Sequence, residues 1–195
     1  MEEIRGKKVE IRNNISKIFS KLSANNISEK TQGIEKRLFE FANFVEAKTS
    51  LLYINSACEV VTENIVKKCF DNNKVVVLPA FNVQKNEMIL MKVDNFKTDM
   101  KFGEKGIPEP DAFKCKIIPL EFIEIAIIPG IAFDEKGGRI GSGDGSYDRL
   151  IPKLLVTTRK VALAYESQIV QYIPMESHDR YVDIIITEDR IIYKI

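Results

Sequence analysis

The chain has 195 residues, 45% of them hydrophobic, which fits one domain with a packed core. Its 29 Lys and Arg residues balance 28 Asp and Glu residues, and a net charge near +1 excludes a global attraction to nucleic acid or to an anionic membrane. The first residues lack the apolar segment of a secretory signal, and no apolar run approaches the ~20 residues that cross a bilayer. Three cysteines without metal-binding spacing suit reduced thiols. We therefore expect a soluble, cytoplasmic protein.

The N-terminal part of the chain, up to about Lys48, has the periodicity of a helical hairpin. Apolar residues recur at intervals of three and four, with charged residues between them. The segment 23–28 interrupts this pattern, and Ser28 is a candidate N-cap for the second helix. We predict two packed helices within residues 1–48.

The rest of the chain alternates strand and helix patterns. A strand at 50–55, a helix at 62–70 and a strand at 74–81 predict a βαβ unit with parallel strands. Residues 102–111, rich in Gly and Pro, predict a loop, and a short helix after residue 147 must hold Pro152 in its first turn. Further strands are predicted at 87–93 (a hairpin partner or edge), 122–130, 160–165, 182–187 and 190–195. The prediction is one α/β domain over 1–195, with a mostly parallel central sheet flanked by helices, behind the N-terminal hairpin.

A glycine-rich stretch, Gly141-Ser-Gly-Asp-Gly-Ser-Tyr-Asp-Arg149, follows the strand predicted at 122–130. Open α/β sheets place ligands at the carboxyl ends of their strands. Glycine permits a positive φ and close backbone approach, and successive N–H groups form a nest for an anion. The spacing matches neither the dinucleotide-binding motif nor the P-loop. The stretch predicts a phosphate-binding loop; a mobile hairpin tip is the alternative.

Three residues beside these glycines strengthen the phosphate hypothesis. Arg139 has the planar guanidinium that binds phosphate oxygens in pairs, and Tyr147 offers an aromatic face and a hydroxyl. Asp148 suits Mg²⁺, which binds carboxylate oxygens together with nucleotide phosphates. A helix N-cap is an equally good explanation of Asp148 from sequence.

The stretch from Pro129 to Arg149, "PGIAFDEKGGRIGSGDGSYDR", resembles the signature of the 5-formyltetrahydrofolate cyclo-ligase family. Lys8 and Arg12 are similar to the family's N-terminal Lys-x-x-x-Arg, and "INSACEVVTENIV" is similar to its strand-end Glu with a Thr-capped helix. The segments "VVVLP", "KGIPEP" and "LAYESQIVQYIPMESHDRYVDIIITED" follow in the family's order. The resemblance thus extends over nearly the whole chain.

The resemblance implies a sheet fold related to the ribose-phosphate isomerase and CoA-transferase group. It also implies ATP, Mg²⁺ and a reduced folate as ligands, and makes a monomer reasonable. In the implied reaction, ATP phosphorylates the formyl oxygen of 5-formyltetrahydrofolate, N10 attacks, the ring closes and phosphate leaves. The enzyme's contribution is orientation and charge neutralisation, without a covalent nucleophile.

The resemblance also implies a role for particular residues. Glu59 would hold the pterin N–H donors, with Ile54 lining that pocket, and Asp148 and Asp179 would hold Mg²⁺. His178, the only histidine, is expected to be structural, since this chemistry needs no general base. The residues expected to bind ATP are Lys8, Arg12, Arg139, Gly141, Ser142, Gly143, Asp144, Gly145, Ser146 and Tyr147.

The glycine stretch departs from the family pattern at three places. Ser142 stands at a place usually held by a large residue, Asp144 where Gly or Lys is usual, and Ser146 where Tyr is usual. A carboxylate beside a triphosphate is repulsive unless it points outward or meets Mg²⁺. We therefore expect a working but divergent cyclo-ligase. An ATP-dependent enzyme for another pterin or amide, and a non-catalytic folate-binding protein, are the alternatives.

Overall fold

The computed structural model describes residues 2–82, 84–85, 87–104 and 106–194. It begins with the helices α1 (Glu2–Phe19), α2 (Ala24–Glu40) and α3 (Ala42–Glu46). The predicted helical hairpin is present, but its second helix is capped by Ser23, so the N-cap prediction for Ser28 is wrong. The Ser23 hydroxyl accepts a hydrogen bond from the Asn26 N–H at 3.1 Å, and the Asn26 side-chain oxygen accepts one from the Ser23 N–H at 3.4 Å. This reciprocal pair satisfies donors that the first helical turn leaves unpaired.

The predicted alternation of strands and helices is confirmed in the remaining chain. In chain order the elements are β1 (Thr49–Leu51), α4 (Glu63–Asp71), β2 (Val75–Asn82), β3 (Glu87–Val93), β4 (Met100–Phe102), β5 (Pro108–Pro110), β6 (Lys116–Ile117), β7 (Ile125–Ile128), β8 (Ala132–Asp134), β9 (Arg139–Ile140), α5 (Ser146–Leu150), β10 (Arg159–Leu163), β11 (Ile169–Val170), β12 (Ile184–Ile186) and β13 (Ile191–Tyr193).

The main sheet has the strand order β13-β12-β10-β7-β1-β2-β3-β6. Its five central strands, β12 to β2 in that order, are parallel, whereas β13, β3 and β6 add antiparallel pairs at the two sides. The prediction of a mostly parallel central sheet is confirmed, and β3 is the hairpin partner of β2. Because the central strands are parallel, their carboxyl ends meet at one edge of the sheet.

Helices cover both faces of this sheet. Along β7, Ile125 and Ile127 pack into one core with α2, α3 and α4, whereas Ala126 and Ile128 pack into a second core with α5. Side chains alternate between the two faces of a strand, so a strand that is buried on both faces reads as a continuous apolar run. This explains why the sequence of β7 shows no alternation.

A smaller sheet of order β11-β8-β9 anchors α1, and it was not predicted from the sequence. Ile15 of α1 is buried against Ala132 of β8, Ile140 of β9 and Ile173. Since β8 begins shortly after β7 ends, this packing places α1 over the carboxyl edge of the main sheet. The charged side of α1 therefore lies beside the glycine stretch.

Three predicted elements differ in the structure. The predicted loop 102–111 contributes to an antiparallel pair, β4 and β5, in which Phe102 lies opposite Pro108; a short two-stranded ladder tolerates proline because few backbone donors are needed there. The α-helix before Pro152 ends at Leu150 and continues as a 3₁₀ turn, since proline cannot donate the next helical hydrogen bond. The first strand ends at Leu51; the Leu52 N–H still donates to the Val77 carbonyl of β2 at 2.9 Å, and residues 53–55 leave the sheet. The last predicted strand extends to Ile195, which lies outside the described residues.

The three cysteines carry free thiols. Burial raises the pKa of Cys69 to about 12, which keeps this thiol protonated and unreactive. Among the described residues, no helix has the length and apolar content that crossing a membrane requires.

Candidate functional site

A cavity of about 580 Å³ lies at the carboxyl edge of the main sheet. Its floor comes from the segments that follow β1 and β7, together with Pro79 and Phe81 of β2. Helix α1, the loop between β9 and α5, and residues 176–179 form its other walls. This volume suits a cofactor or substrate of small-molecule size.

The cavity brings together all the residues that the sequence singled out for ligand binding. They are Lys8, Arg12, Ile54, Glu59, Arg139, Gly141, Ser142, Gly143, Asp144, Gly145, Ser146, Tyr147, Asp148 and Asp179. The sequence reasoning missed Arg5, Ser56 and Glu176, which also line it. Arg5 had a usable signal, because it lies three residues before Lys8 and seven before Arg12, on the same face of a helix.

The glycine loop wraps one wall of the cavity and needs glycine for two different reasons. Gly143 and Gly145 have φ values of 110° and 66°, which side chains with a Cβ adopt reluctantly. A Cβ at Gly141 would come within 2.7 Å of the Arg139 Nη1 atom. Arg12 Nε donates to the Gly141 carbonyl at 2.9 Å, which ties α1 to the loop.

The two most unusual residues of the loop bind each other. The Asp144 carboxylate accepts hydrogen bonds from the Ser146 N–H at 3.0 Å and from the Ser146 hydroxyl at 2.9 Å. Arg149 Nη1 donates to the Asp144 carbonyl at 3.0 Å. Ser146 is buried, so a Tyr side chain at this position would have to replace a close internal contact.

Arg139 is the most buried cation of the site, with 4% of the residue exposed. Its guanidinium donates to Asp148 Oδ1 at 2.9 Å and to the Pro129 carbonyl at 3.2 Å. The Nε atom has no hydrogen-bond partner among the described residues. Buried donors are nearly always paired, so this unpaired N–H indicates a place where a ligand oxygen or a water molecule binds.

Tyr147 packs beside this arginine, with its ring centre 6.0 Å from the Arg139 guanidinium carbon. Burial raises the pKa of the Tyr147 hydroxyl, and the nearby Glu59 carboxylate raises it further. The hydroxyl therefore stays protonated and can only donate or accept a hydrogen bond.

Glu59 lies in a turn that is held in place by hydrogen bonds, one of them from a distant segment of the chain. Its carboxylate accepts a hydrogen bond from the Ser56 N–H at 2.8 Å. The preceding residue, Cys58, has a left-handed backbone with φ 63°, and its carbonyl accepts a hydrogen bond from the buried Gln168 Nε2 at 2.7 Å. Burial raises the pKa of Glu59, and the hydrogen bond from Ser56 and the charge of Arg139 oppose this effect only in part.

Lys8 is buried between two carboxylates. Its Nζ donates to Glu176 Oε2 at 3.0 Å and to Asp179 Oδ2 at 2.5 Å. The imidazole of His178 lies 3.8 Å from Glu176 and 3.6 Å from Asp179, with 65% of its side chain exposed. Because most of its side chain is exposed, His178 contributes little to packing, and a structural role for this residue stays a prediction.

The predicted magnesium ligands have separate partners. Asp148 Oδ1 is bonded to Arg139 and to the Arg180 N–H at 3.0 Å, whereas Asp179 is bonded to Lys8. In the described part of the chain, Glu176, His178 and Asp179 have ligand atoms within 4.8 Å of one another, and Asp148 is not in that group. Carboxylate oxygens are ligands that a hard cation prefers, but those of Glu176 and Asp179 already hold the Lys8 ammonium group, which a metal ion would have to displace. The assignment of Asp148 and Asp179 to Mg²⁺ stays a prediction.

The fold and this cavity define a class of protein: an α/β protein with a cavity at the carboxyl ends of its parallel strands, lined by a glycine loop and by cationic side chains. Comparison with known proteins is more specific. The family model of 5-formyltetrahydrofolate cyclo-ligase matches residues 4–188. The chain belongs to this family.

Individual relatives agree with this assignment. The chain is 30% identical to the 5-formyltetrahydrofolate cyclo-ligase of Haemophilus influenzae over 174 residues, which cover 89% of this chain and 93% of that protein. It is 30% identical to a probable 5-formyltetrahydrofolate cyclo-ligase of Schizosaccharomyces pombe, over 97% of this chain and 98% of that protein. The solved structure of Aquifex aeolicus 5,10-methenyltetrahydrofolate synthetase superposes with a TM-score of 0.84 at 27% identity, covering 96% of this chain and 92% of that one.

Proposed function

We propose that this protein converts 5-formyltetrahydrofolate to 5,10-methenyltetrahydrofolate in a reaction that needs ATP and Mg²⁺ and releases ADP and phosphate. The observation that carries the proposal is that one cavity gathers a carboxylate suited to a pterin and a glycine loop suited to a triphosphate. These two groups come from segments 82 residues apart in the chain, around Glu59 and around Gly141. Their meeting is what a reaction between a folate and a nucleotide requires.

The folate half of the site is supported by Glu59 and its apolar neighbours. The cavity wall near this half is built from Ile54, Pro79, Phe81 and Pro108. Apolar side chains suit the faces of a pterin ring, and two carboxylate oxygens suit its neighbouring N–H donors. Glu59 then fixes the orientation of the ring, which sets where the formyl group lies.

The nucleotide half is supported by the loop and by Arg139. The positive φ values at Gly143 and Gly145 turn the backbone around an open space, and the unpaired Nε of Arg139 offers a donor there. Lys8 and Arg12 extend this positive wall from α1. ATP, when bound, supplies the phosphoryl group that takes up the formyl oxygen and leaves with it as phosphate. The arginines would neutralise negative charge on the phosphoryl oxygens and orient them toward the formyl group.

The charges of the cavity support the need for a divalent cation. Among the described residues, four cationic side chains line it, from Arg5, Lys8, Arg12 and Arg139, against five carboxylates, from Glu59, Asp144, Asp148, Glu176 and Asp179. A wall with more carboxylates than cations does not neutralise a triphosphate. Mg²⁺, held by Asp148 and Asp179 in our proposal, supplies the missing positive charge.

The test is a near-UV absorbance assay with purified protein, 5-formyltetrahydrofolate, Mg²⁺ and ATP. Growth of the absorbance of the conjugated methenyl product, absent without ATP or with EDTA, supports the proposal. The variant that tests the folate half of the site is Glu59→Gln, which we expect to raise the KM for the folate much more than the KM for ATP. ADP release with another pterin or amide, and none with 5-formyltetrahydrofolate, would contradict the substrate assignment.

A non-catalytic folate-binding protein would give a different result. It would be stabilised against heat by 5-formyltetrahydrofolate, since a ligand that binds only the native state raises its stability, but it would release no ADP. The full proposal also includes a cytoplasmic monomer with a single domain, which analytical ultracentrifugation and limited proteolysis test.

A further inference from the structure

We propose that Gln168 is a positioning residue, which holds the turn of Glu59 so that this carboxylate faces the folate. The inference rests on the proposed function, because it concerns the folate half of the same cavity. Gln168 is fully buried and is not among the residues that line the cavity. It would therefore act on folate binding through Glu59, without touching the ligand.

The location of Gln168 lets one side chain reach three neighbouring strand ends. The residue ends the 3₁₀ turn Glu166–Gln168, which follows β10 at the carboxyl edge of the main sheet. In this sheet β10 lies beside β7, and β7 lies beside β1. The Gln168 side chain thus extends from the end of β10, past the segment that follows β7, to the turn that follows β1.

Hydrogen bonds at both ends of the amide fix this side chain. Its oxygen accepts from the Tyr165 N–H at 2.8 Å, and its Nε2 donates to the Ile131 carbonyl at 2.8 Å and to the Cys58 carbonyl at 2.7 Å. The Gly130 carbonyl oxygen lies 3.4 Å from the same nitrogen. A flipped amide would turn its oxygen toward three carbonyl oxygens, so these partners determine its orientation.

The tip of the Glu59 turn receives its long-range hydrogen bond from this amide. In the described part of the chain, the other hydrogen bonds that the main chain of residues 53–62 makes join partners at most nine residues apart. The bond from Gln168 to the Cys58 carbonyl joins residues 110 apart. Tyr53 and Val60 anchor the two ends of the turn in the core, but the tip between them is partly exposed. The amide therefore connects this tip to the rest of the sheet edge.

The backbone of Cys58 makes the turn dependent on such a contact. Its φ of 63° is left-handed, which is unfavourable for a residue with a Cβ and persists only where the surroundings hold it. Gln168 binds the carbonyl of this residue, and so fixes the peptide that joins Cys58 to Glu59. Without the amide, Cys58 can relax to a negative φ, which rotates this peptide and moves the Glu59 side chain.

The nucleotide half of the cavity has support that does not depend on Gln168. The Ile131 N–H donates to the Ile140 carbonyl of β9 at 2.7 Å, so the segment after β7 stays tied without the amide. Arg139 is held by Asp148. Loss of Gln168 should therefore weaken folate binding selectively.

The experiment compares the wild type with Gln168→Met and Gln168→Asn. Methionine keeps the length of the side chain but has no amide, and asparagine keeps an amide that is one methylene too short to reach the Cys58 carbonyl. Calorimetry with 5-formyltetrahydrofolate and with Mg²⁺–ATP gives each Kd, and methenyl formation gives each KM. We expect both variants to raise the Kd and KM for the folate at least about tenfold, and those for ATP less than about twofold, because a small displacement of a binding group is costly at that group alone.

Two further variants separate this role from a general loss of stability. Thr158→Val is the matched control: Thr158 is 1% exposed, precedes β10 at the opposite edge of the sheet, and donates its hydroxyl to the Ile123 carbonyl at 2.7 Å. It should lower the melting temperature and leave both KM values unchanged. Adding Cys58→Gly to Gln168→Met should restore most of the folate affinity, because glycine adopts a left-handed backbone without outside support. Hydrogen exchange of the amides of residues 56–60, measured without ligand, should be faster in Gln168→Met and slow again in the double variant.

Several outcomes overturn the inference. An unchanged folate KM in Gln168→Met, or equal rises in the KM for folate and for ATP, rejects it. Failure of Cys58→Gly to restore folate affinity also rejects it, since the amide would then act by a route other than the Glu59 turn. If neither Gln168 variant folds, even with Cys58→Gly, the residue supports the whole fold and the assignment to the folate half is wrong.

Failure of the proposed function gives a different pattern. If the wild type forms the methenyl product while any of these outcomes holds, the proposed function stands and only the role of Gln168 fails. If the wild type neither binds 5-formyltetrahydrofolate nor forms product, the proposed function fails, and hydrogen exchange still tests whether Gln168 holds the turn.

Discussion

The buried ion pair between Arg139 and Asp148 offers the sharpest stability prediction. Arg139→Met keeps a side chain of similar length but removes the charge and every hydrogen bond that the guanidinium makes. Only 3% of the Arg139 side chain and 16% of the Asp148 side chain is exposed, so solvent does little to compensate. Asp148 would be left with the Arg180 N–H as its remaining donor among the bonds described above.

The magnitude follows from this burial. Removing one partner of a buried pair typically lowers the free energy of unfolding by 3–5 kcal/mol, because the other charge stays buried without compensation. The remaining Arg180 N–H and the partial exposure of Asp148 favour the lower end, about 3 kcal/mol. For a domain of this length, that lowers the melting temperature by roughly 6–12 °C.

The assay is chemical denaturation of the wild type, Arg139→Met, Asp148→Asn and the double variant. In the double variant no buried charge is left unpaired, so we expect a coupling energy of about 1–3 kcal/mol between the two sites. Arg190→Met is the control, because the ion pairs of Arg190 with Glu135 and Glu166 lie at the surface and should contribute little. A loss below about 1 kcal/mol in Arg139→Met, or additive single effects, would refute the reasoning from the buried pair.

Other predictions concern two glycines, Glu59 and Lys8. Gly6→Ala should raise the free energy of unfolding by about 0.5–1 kcal/mol, because Gly6 lies within α1 with nothing near a new Cβ. Gly137→Ala should lower it by more than about 2 kcal/mol, since φ is 82° and the Cβ would lie 2.3 Å from the Val182 carbonyl oxygen; denaturant titration checks both. The pKa of Glu59 is raised, so this group protonates at a higher pH than an ordinary carboxyl; the KM for the folate should rise as pH falls through that range and stay flat in Glu59→Gln. The same raised pKa means that ionised Glu59 destabilises the fold, so the free energy of unfolding should decrease as pH rises through this pKa. Unfolding midpoints measured over a pH series without ligand check this, and the decrease due to Glu59 should be absent in Glu59→Gln. Lys8→Met should lower the melting temperature and weaken ATP binding, whereas Lys7→Met, which breaks an exposed pair with Glu3, should do neither.

Much of the fold could be predicted because the signals are local. The parallel strands β7 and β12 are runs of apolar residues, and the break between α1 and α2 lies beside a cluster of Ser and Asn that begins at Ser23. The small sheet of β8, β9 and β11 could not be predicted, since strands of two or three residues carry too little pattern. The strand pair that includes Pro108 and Pro110 was hidden because proline favours loops in an isolated segment.

The sequence by itself determined which side chains are available to the site: a Lys and an Arg one helical turn apart on α1, a glycine loop that allows positive φ, and a carboxylate after the first strand. These follow from residue type and short spacing, which the chain carries wherever it folds. Only the tertiary structure decided which of these groups are already engaged. It paired Lys8 with Glu176 and Asp179, and Arg139 with Asp148, and it turned Asp144 onto Ser146. The contacts of Lys8 join residues 168 and 171 positions apart in the chain, so long-range packing, rather than local propensity, sets the charges that a ligand meets on α1.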